Sequence, residues 1–233
     1  MFKKIILSLV IGGTALTLAA CGNGQAPQDV TSQPQANETA HLEKSDQTSY
    51  KTIFKNSVFL GDSITEALSY HDILDEFNVV AGAGKTTELS LMSGDVDKLA
   101  ERSPQHLFIM LGSDDILLPP QITDNPKEYS LNFYAELIGS IKEKLPKASI
   151  TVLPVTPVTP EAEQVEPRYK NISDYNQGLQ ELAAKQQVGF ADLSSIFVDG
   201  QHLYSSDGIH FKPEFYTRML GLLKDRVKQH AAK

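Results

Sequence analysis

Ser57-Val-Phe-Leu-Gly-Asp-Ser-Ile-Thr65 is answered near the other end of the chain by Asp207-Gly-Ile-His210. In the first stretch an apolar run delivers Gly61-Asp62-Ser63 into a loop. In the second, an aspartate and a histidine arrive together on one turn. Serine, histidine and aspartate are the nucleophile, base and orienting carboxylate that let a hydroxyl attack an acyl carbon. A lone Gly-Asp-Ser arises by chance in about one chain of this length in twenty. The pairing with Asp207-x-x-His210, in that order, carries the signal.

Outward from Ser57, short apolar runs alternate with longer amphipathic ones. Val58–Leu60, Asn78–Val80, Leu107–Leu111, Ser149–Leu153 and Gly189–Ala191 read as strands, with helices expected near 64–75, 87–101, 127–145, 171–187 and 213–230. In the third helix Leu131, Tyr134, Leu137, Ile138 and Ile141 share one face, and Pro146 ends it. Repeated βα alternation predicts an α/β sandwich: a central parallel sheet of about five strands with helices on both faces, and active loops at the carboxyl ends of the strands. Ser63 lies just past the first strand. The loops 113–127 and 154–170 also follow strands, and they are either ordinary surface loops or walls of a pocket.

The first fifty residues have a different character. Met1-Phe-Lys-Lys4, an apolar run from Ile5 to Leu18 and Leu18-Ala-Ala-Cys21 form an export signal, too short to span a bilayer comfortably. The end of this run resembles a bacterial lipobox, which implies cleavage before Cys21 and lipid on its thiol. The membrane is then a partner through that lipid, and the location is extracytoplasmic. Cys21 is the only cysteine, so redox and metal-thiolate chemistry go with it. Residues 22–50, rich in Gln, Asn, Ser, Thr, Pro and Ala, read as a flexible tether, and 51–233 as a single domain. The formal charge is −8, or −10 without Lys3 and Lys4, which argues against nucleic acid as a partner. Oligomerisation has no sequence signal, and a monomer is the default expectation.

With these motifs on view, the domain from about 57 to 230 resembles the SGNH, or GDSL-type, hydrolases. That resemblance implies a flavodoxin-like sandwich that cleaves acyl esters through an acyl-serine, without cofactor or metal. Carried over residue by residue, it makes Ser63 the nucleophile and an oxyanion donor, His210 the base and Asp207 its orienting carboxylate. The family's second motif, a glycine whose N–H faces the oxyanion, falls at Gly84, with Gly82 as the alternative. The Gly-Lys-Thr at 84–86 also looks like the end of a P-loop, but Val79 stands where its first glycine belongs.

The third motif departs from the family: the expected Gly-x-Asn-Asp reads Gly112-Ser-Asp114-Asp115. Asparagine offers an N–H at the oxyanion, whereas an ionised Asp114 offers only lone pairs. Three resolutions are open: Asp114 is protonated, is neutralised by Lys85, or turns away. The Lys85 pairing is the expectation, against a solvated surface lysine. Asp62 and Asp115 are expected to brace the loops, and Tyr204 either lines the pocket or packs. His41, His71, His106, His202 and His230 lack metal-ligand spacing. The substrate expected is a small acyl ester, a lipid or an O-acylated glycan. The other readings are a weak or inactive binding module on the same fold and an O-acyltransferase sharing the acyl-enzyme.

Overall fold

The two central strands carry apolar runs, Val58–Leu60 and Leu107–Met110, because both of their faces are covered. The structure, a computed structural model, describes residues 50–228. In it β1 (Ser57–Gly61) and β3 (His106–Met110) are buried at every residue, as expected of a parallel sheet roofed on both sides. With β2 (Val79–Ala81), β4 (Ser149–Val152) and β5 (Gly189–Phe190) they form five parallel strands in the order β2-β1-β3-β4-β5. This is the doubly wound, flavodoxin-like order, and its switch point lies between β1 and β3. The export signal, Cys21, the tether up to 49, His41 and His230 lie outside the described residues.

The helices are α1 (Ser63–Tyr70), α2 (Thr87–Met92), α3 (Asp95–Arg102), α4 (Pro126–Lys144), α5 (Pro160–Val165), α6 (Ile172–Lys185) and α7 (Pro213–Lys228). Strand alternation sorts the core into two layers. Phe59, Val79, Phe108 and Met110 face α1 and α7, which supply Ile64, Leu68, Phe215 and Met219. There Phe59 stacks on Phe108 at 4.7 Å, and Phe54 meets both edge-on. Val58, Leu60, Leu107 and Ile109 face α3, α4 and α6. On α4 the expected stripe is buried at Tyr134, Leu137, Ile138 and Ile141, with Leu131 partly so.

Three expected elements differ. The helix expected to reach residue 75 stops at Tyr70, because Asp72 turns left-handed (φ 56°) and sends Ile73 and Leu74 into the core. The helix expected over 87–101 is two helices, α2 and α3, broken where Gly94 adopts φ 74°. The 154–170 loop contains α5, started by Pro160 and by Thr159, whose hydroxyl accepts from the Ala162 N–H at 3.3 Å. Tyr50, the first described residue, packs its ring 6.4 Å from Phe54.

Candidate active site

Register gathers the motifs. Gly61 pairs with Ala81 on one side and with Met110 on the other, so three segments leave the sheet side by side on its carboxyl edge. They are Asp62-Ser63, the 82–86 loop and the 111–115 loop. The turn out of β1 is tight: a Cβ on Gly61 would lie 1.9 Å from Thr65 Oγ1 and 2.5 Å from the Met110 carbonyl oxygen. Only glycine fits there. Asp62 then caps α1 by accepting from the Ile64 N–H at 2.9 Å, which makes Ser63 the first helical residue.

Ser63 Oγ lies 2.9 Å from His210 Nε2, and His210 Nδ1 lies 2.7 Å from Asp207 Oδ2. The other oxygen of Asp207 accepts from the N–H groups of Ile209 and His210, both at 2.9 Å. One aspartate therefore builds the turn and fixes the ring. Burial works to raise the Asp207 pKa, but those N–H groups and the imidazole outweigh it and hold it below the ordinary carboxylate range. An ionised Asp207 requires the proton on Nδ1, which leaves Nε2 as acceptor for the Ser63 hydroxyl. The loop is closed by the Tyr204–Phe211 bridge, with the two rings 4.8 Å apart. Tyr204 donates to the Pro157 carbonyl at 3.1 Å, which resolves its two sequence readings in favour of packing and loop closure.

Behind the serine stands a group of carboxyls: Asp62, Asp114 and Asp115. Asp115 is buried, and it accepts from the Thr87 N–H at 3.1 Å, the Thr87 hydroxyl at 2.5 Å and the Ser130 hydroxyl at 2.6 Å. Ser130 spends its proton on Asp115, so the Tyr175 hydroxyl, 2.5 Å away, donates to Ser130. This network ties the loop after β3 to α2, α4 and α6. Gly112 (φ 126°) starts that loop, where a Cβ would sit 2.5 Å from the Tyr175 ring. Asp62 and Asp115 do brace the loops, as the sequence suggests.

Burial and the neighbouring Asp114 push the Asp62 pKa up to about 7, against the opposing pull of the Ile64 and Thr65 N–H groups. A carboxyl raised in the folded state contributes stability that is fully present below its unfolded pKa and is lost as pH rises through the folded value. The window here is about pH 4 to 7, and three units correspond to about 4 kcal/mol. Asp62→Asn keeps the acceptor for Ile64 and removes the titration. Its unfolding free energy in urea therefore falls less than that of the wild type between the two ends of that window; parallel curves would contradict the assignment.

Asp114 is half-buried, with its pKa raised by burial and by Asp115 and lowered by His210. The expected partner is elsewhere. Lys85 Nζ pairs with Asp95 at 2.5 Å, and Asp95 is fully buried and also holds Lys98 at 2.9 Å and the Ser90 hydroxyl at 3.1 Å. Burial disfavours an ionised Asp95, but the hydrogen bonds from Lys85 and Lys98 prevail and lower its pKa. The Lys85–Asp114 pairing is thus corrected: a buried carboxylate competes better for the ammonium. Lys85 anchors the 82–86 loop to α3. Within that loop Gly82 follows β2 directly, and Gly84 is an exposed turn residue with φ 72°.

Ser63 and His210 line a cleft of about 500 Å³ with Glu66, Ala67, Tyr70, His71, Glu76 and Phe211. Glu66, Tyr70 and His71 were not read as its wall from the sequence, although they follow Ser63 at helical spacing, the signal that points to them. The His71 ring packs 5.7 Å from that of Tyr216, as a structural histidine does. Asp95 carried no motif and was missed. No cluster of three or more metal-ligating side chains occurs among the described residues.

A serine, a histidine and an aspartate joined by hydrogen bonds thus stand at the switch point of a doubly wound α/β domain. The model of the GDSL-like lipase/acylhydrolase family matches residues 59–218, and the chain belongs to that family. Solved structures agree in fold. A GDSL-like lipase from Bacteroides thetaiotaomicron is 18% identical, with a TM-score of 0.60 over 84% of this chain and 98% of that one. A lipase/acylhydrolase from Enterococcus faecalis is 20% identical, with a TM-score of 0.57 over 75% and 96%. An acetylxylan esterase from Geobacillus stearothermophilus is 17% identical, with a TM-score of 0.52 over 73% and 92%. A comparison with curated proteins finds no match.

Proposed function

We propose that this chain is a serine esterase that cleaves acyl esters through an acyl-Ser63 intermediate. The observation that carries this reading is the relay from Ser63 Oγ to His210 at 2.9 Å and on to Asp207 at 2.7 Å, at the mouth of a cleft. His210 Nε2 takes the Ser63 proton as Oγ bonds to the acyl carbon. Backbone N–H groups, those of Ser63 and Gly84 with Gly82 as the alternative, hold the oxyanion. The intermediate collapses, the ester bond breaks, and the alcohol leaves with the proton from His210. Water then gives a proton to His210 and attacks the acyl carbon; the acid departs and Ser63 is reprotonated. Asp207 stabilises the imidazolium in both halves.

The same proposal includes location. Leu18-Ala-Ala-Cys21 supports an exported lipoprotein held on the membrane by lipid at Cys21, with the residues up to 49 as its tether. Small acyl esters, lipids and O-acylated glycans are the substrates within reach there. Asp114 supports a second reading, a module on this fold that binds without turnover, because an ionised carboxylate has no N–H to offer.

Fluorophosphonate labelling of the full chain separates the two readings. Modification confined to Ser63, and absent from Ser63→Ala, is expected of the esterase. A folded wild-type chain that stays unlabelled across a range of pH establishes the binding module instead.

A further inference from the structure

A second cleft lies on the carboxyl edge beyond the catalytic one and shares no lining residue with it. Its volume is about 740 Å³, against about 500 Å³ at Ser63, and falls in the usual range for small-molecule sites. The loop after β4, the segment after β5 and the outer face of α6 form its walls. The partition between the two clefts is thin. Phe197 of the second cleft packs 5.9 Å from Phe211 of the first, and Pro157 of the second accepts from Tyr204.

Its chemistry is uncharged overall and rich in paired donors and acceptors. Along α6, Ser173, Gln177 and Gln180 are exposed at helical spacing, so hydroxyl, amide and amide form a row. Asn176 is not part of that row: it is clamped to the Val155 N–H and carbonyl, both at 2.8 Å, and makes a rigid wall. Gln177 donates to Glu181 at 3.0 Å, which orients its carbonyl oxygen. Across the cleft Asp192 is oriented by the Ser194 N–H at 2.8 Å and hydroxyl at 3.0 Å, and the Phe197 ring adds an apolar surface. Asp192 and Arg226 oppose each other in charge, so the site favours neither anion nor cation. Thr156, 3% exposed, completes the wall beside Val155.

Planar amides that donate and accept, an oriented carboxylate and an aromatic face suit a molecule bearing many hydroxyls on apolar rings. A peptide added as a strand on β5 is disfavoured, because Arg226 already occupies the Phe190 carbonyl at 2.8 Å. We propose that this cleft is a binding site for a neutral oligosaccharide, separate from the catalytic cleft. The site does not depend on turnover at Ser63.

Calorimetric titration of the full chain in detergent with xylotetraose, cellotetraose, maltotetraose and N-acetylchitotetraose tests it. At least one binds, with a Kd on the order of 10 µM to 1 mM. Gln177→Ala combined with Gln180→Ala weakens that binding at least about tenfold, as does Asp192→Asn alone, since one lost interaction of about 1.4 kcal/mol is tenfold. Ser63→Ala binds like the wild type, so a failed esterase reading leaves this result standing. Both glutamines and Asp192 are exposed, and far-UV circular dichroism confirms that the variants are folded. Absence of binding by all four sugars, or binding undiminished in both variants, overturns the proposal.

Discussion

Replacing His210 by alanine lowers kcat on a p-nitrophenyl acyl ester by about four to six orders of magnitude. The size follows from the geometry. Among the described residues the proton acceptor that Ser63 Oγ meets is His210 Nε2 at 2.9 Å, and a neutral serine hydroxyl is a poor nucleophile. The two side chains act as a unit, so Ser63→Ala costs about as much, and the double variant costs little more than either single one. Asp207→Ala costs less, because its carboxylate is about half exposed (46%) and water takes over part of its role toward Nδ1. Steady-state kinetics on the wild type and the four variants decide the matter. A His210→Ala enzyme within tenfold of the wild type would remove the histidine from the reaction, and multiplicative losses in the double variant would show that the two residues act separately.

The fold was legible because parallel strands covered on both faces must be continuously apolar, and the helices between them must show one buried stripe. Val58–Leu60 and the stripe on α4 announced themselves in this way. What escaped depends on single backbone conformations and on long-range competition. Gly94 inside an amphipathic run looks tolerable until its φ of 74° divides α2 from α3. Lys85 beside a motif suggested Asp114 as its partner. The fold sets it instead on Asp95, ten residues along the chain, because α3 carries that carboxylate into a fully buried position. The relay residues were readable as letters, while their meeting rests on the Tyr204–Phe211 bridge that closes the 205–210 loop. Asp115 illustrates the same limit. Its place in the motif was clear, but its hydrogen bonds to Thr87 and Ser130 belong to helices that only the fold brings near.

Asp114→Asn raises kcat as pH rises, by an amount that grows as Asp114 of the wild type ionises. The loop after β3 leaves the sheet beside Ser63, and Asp114 feels both Asp115 and His210 electrostatically. An ionised carboxylate about 4 Å from a developing oxyanion repels it by about 4 kcal/mol at an effective dielectric near 20. That is close to a thousandfold in rate, and an amide replaces the repulsion with a donor. The wild type is spared only while Asp114 keeps its proton. Burial and Asp115 extend that range upward, with His210 pulling the other way. The ratio of variant to wild type is therefore near one at acid pH and climbs toward about 10² to 10³ as the carboxyl ionises. Lys85→Met should add its effect independently, since its ammonium serves Asp95 rather than Asp114. Rate–pH profiles of wild type, both single variants and the double variant measure all of this. A flat ratio would mean that Asp114 points away from the oxyanion, and strong coupling to Lys85 would mean that the ammonium leaves Asp95 when substrate binds.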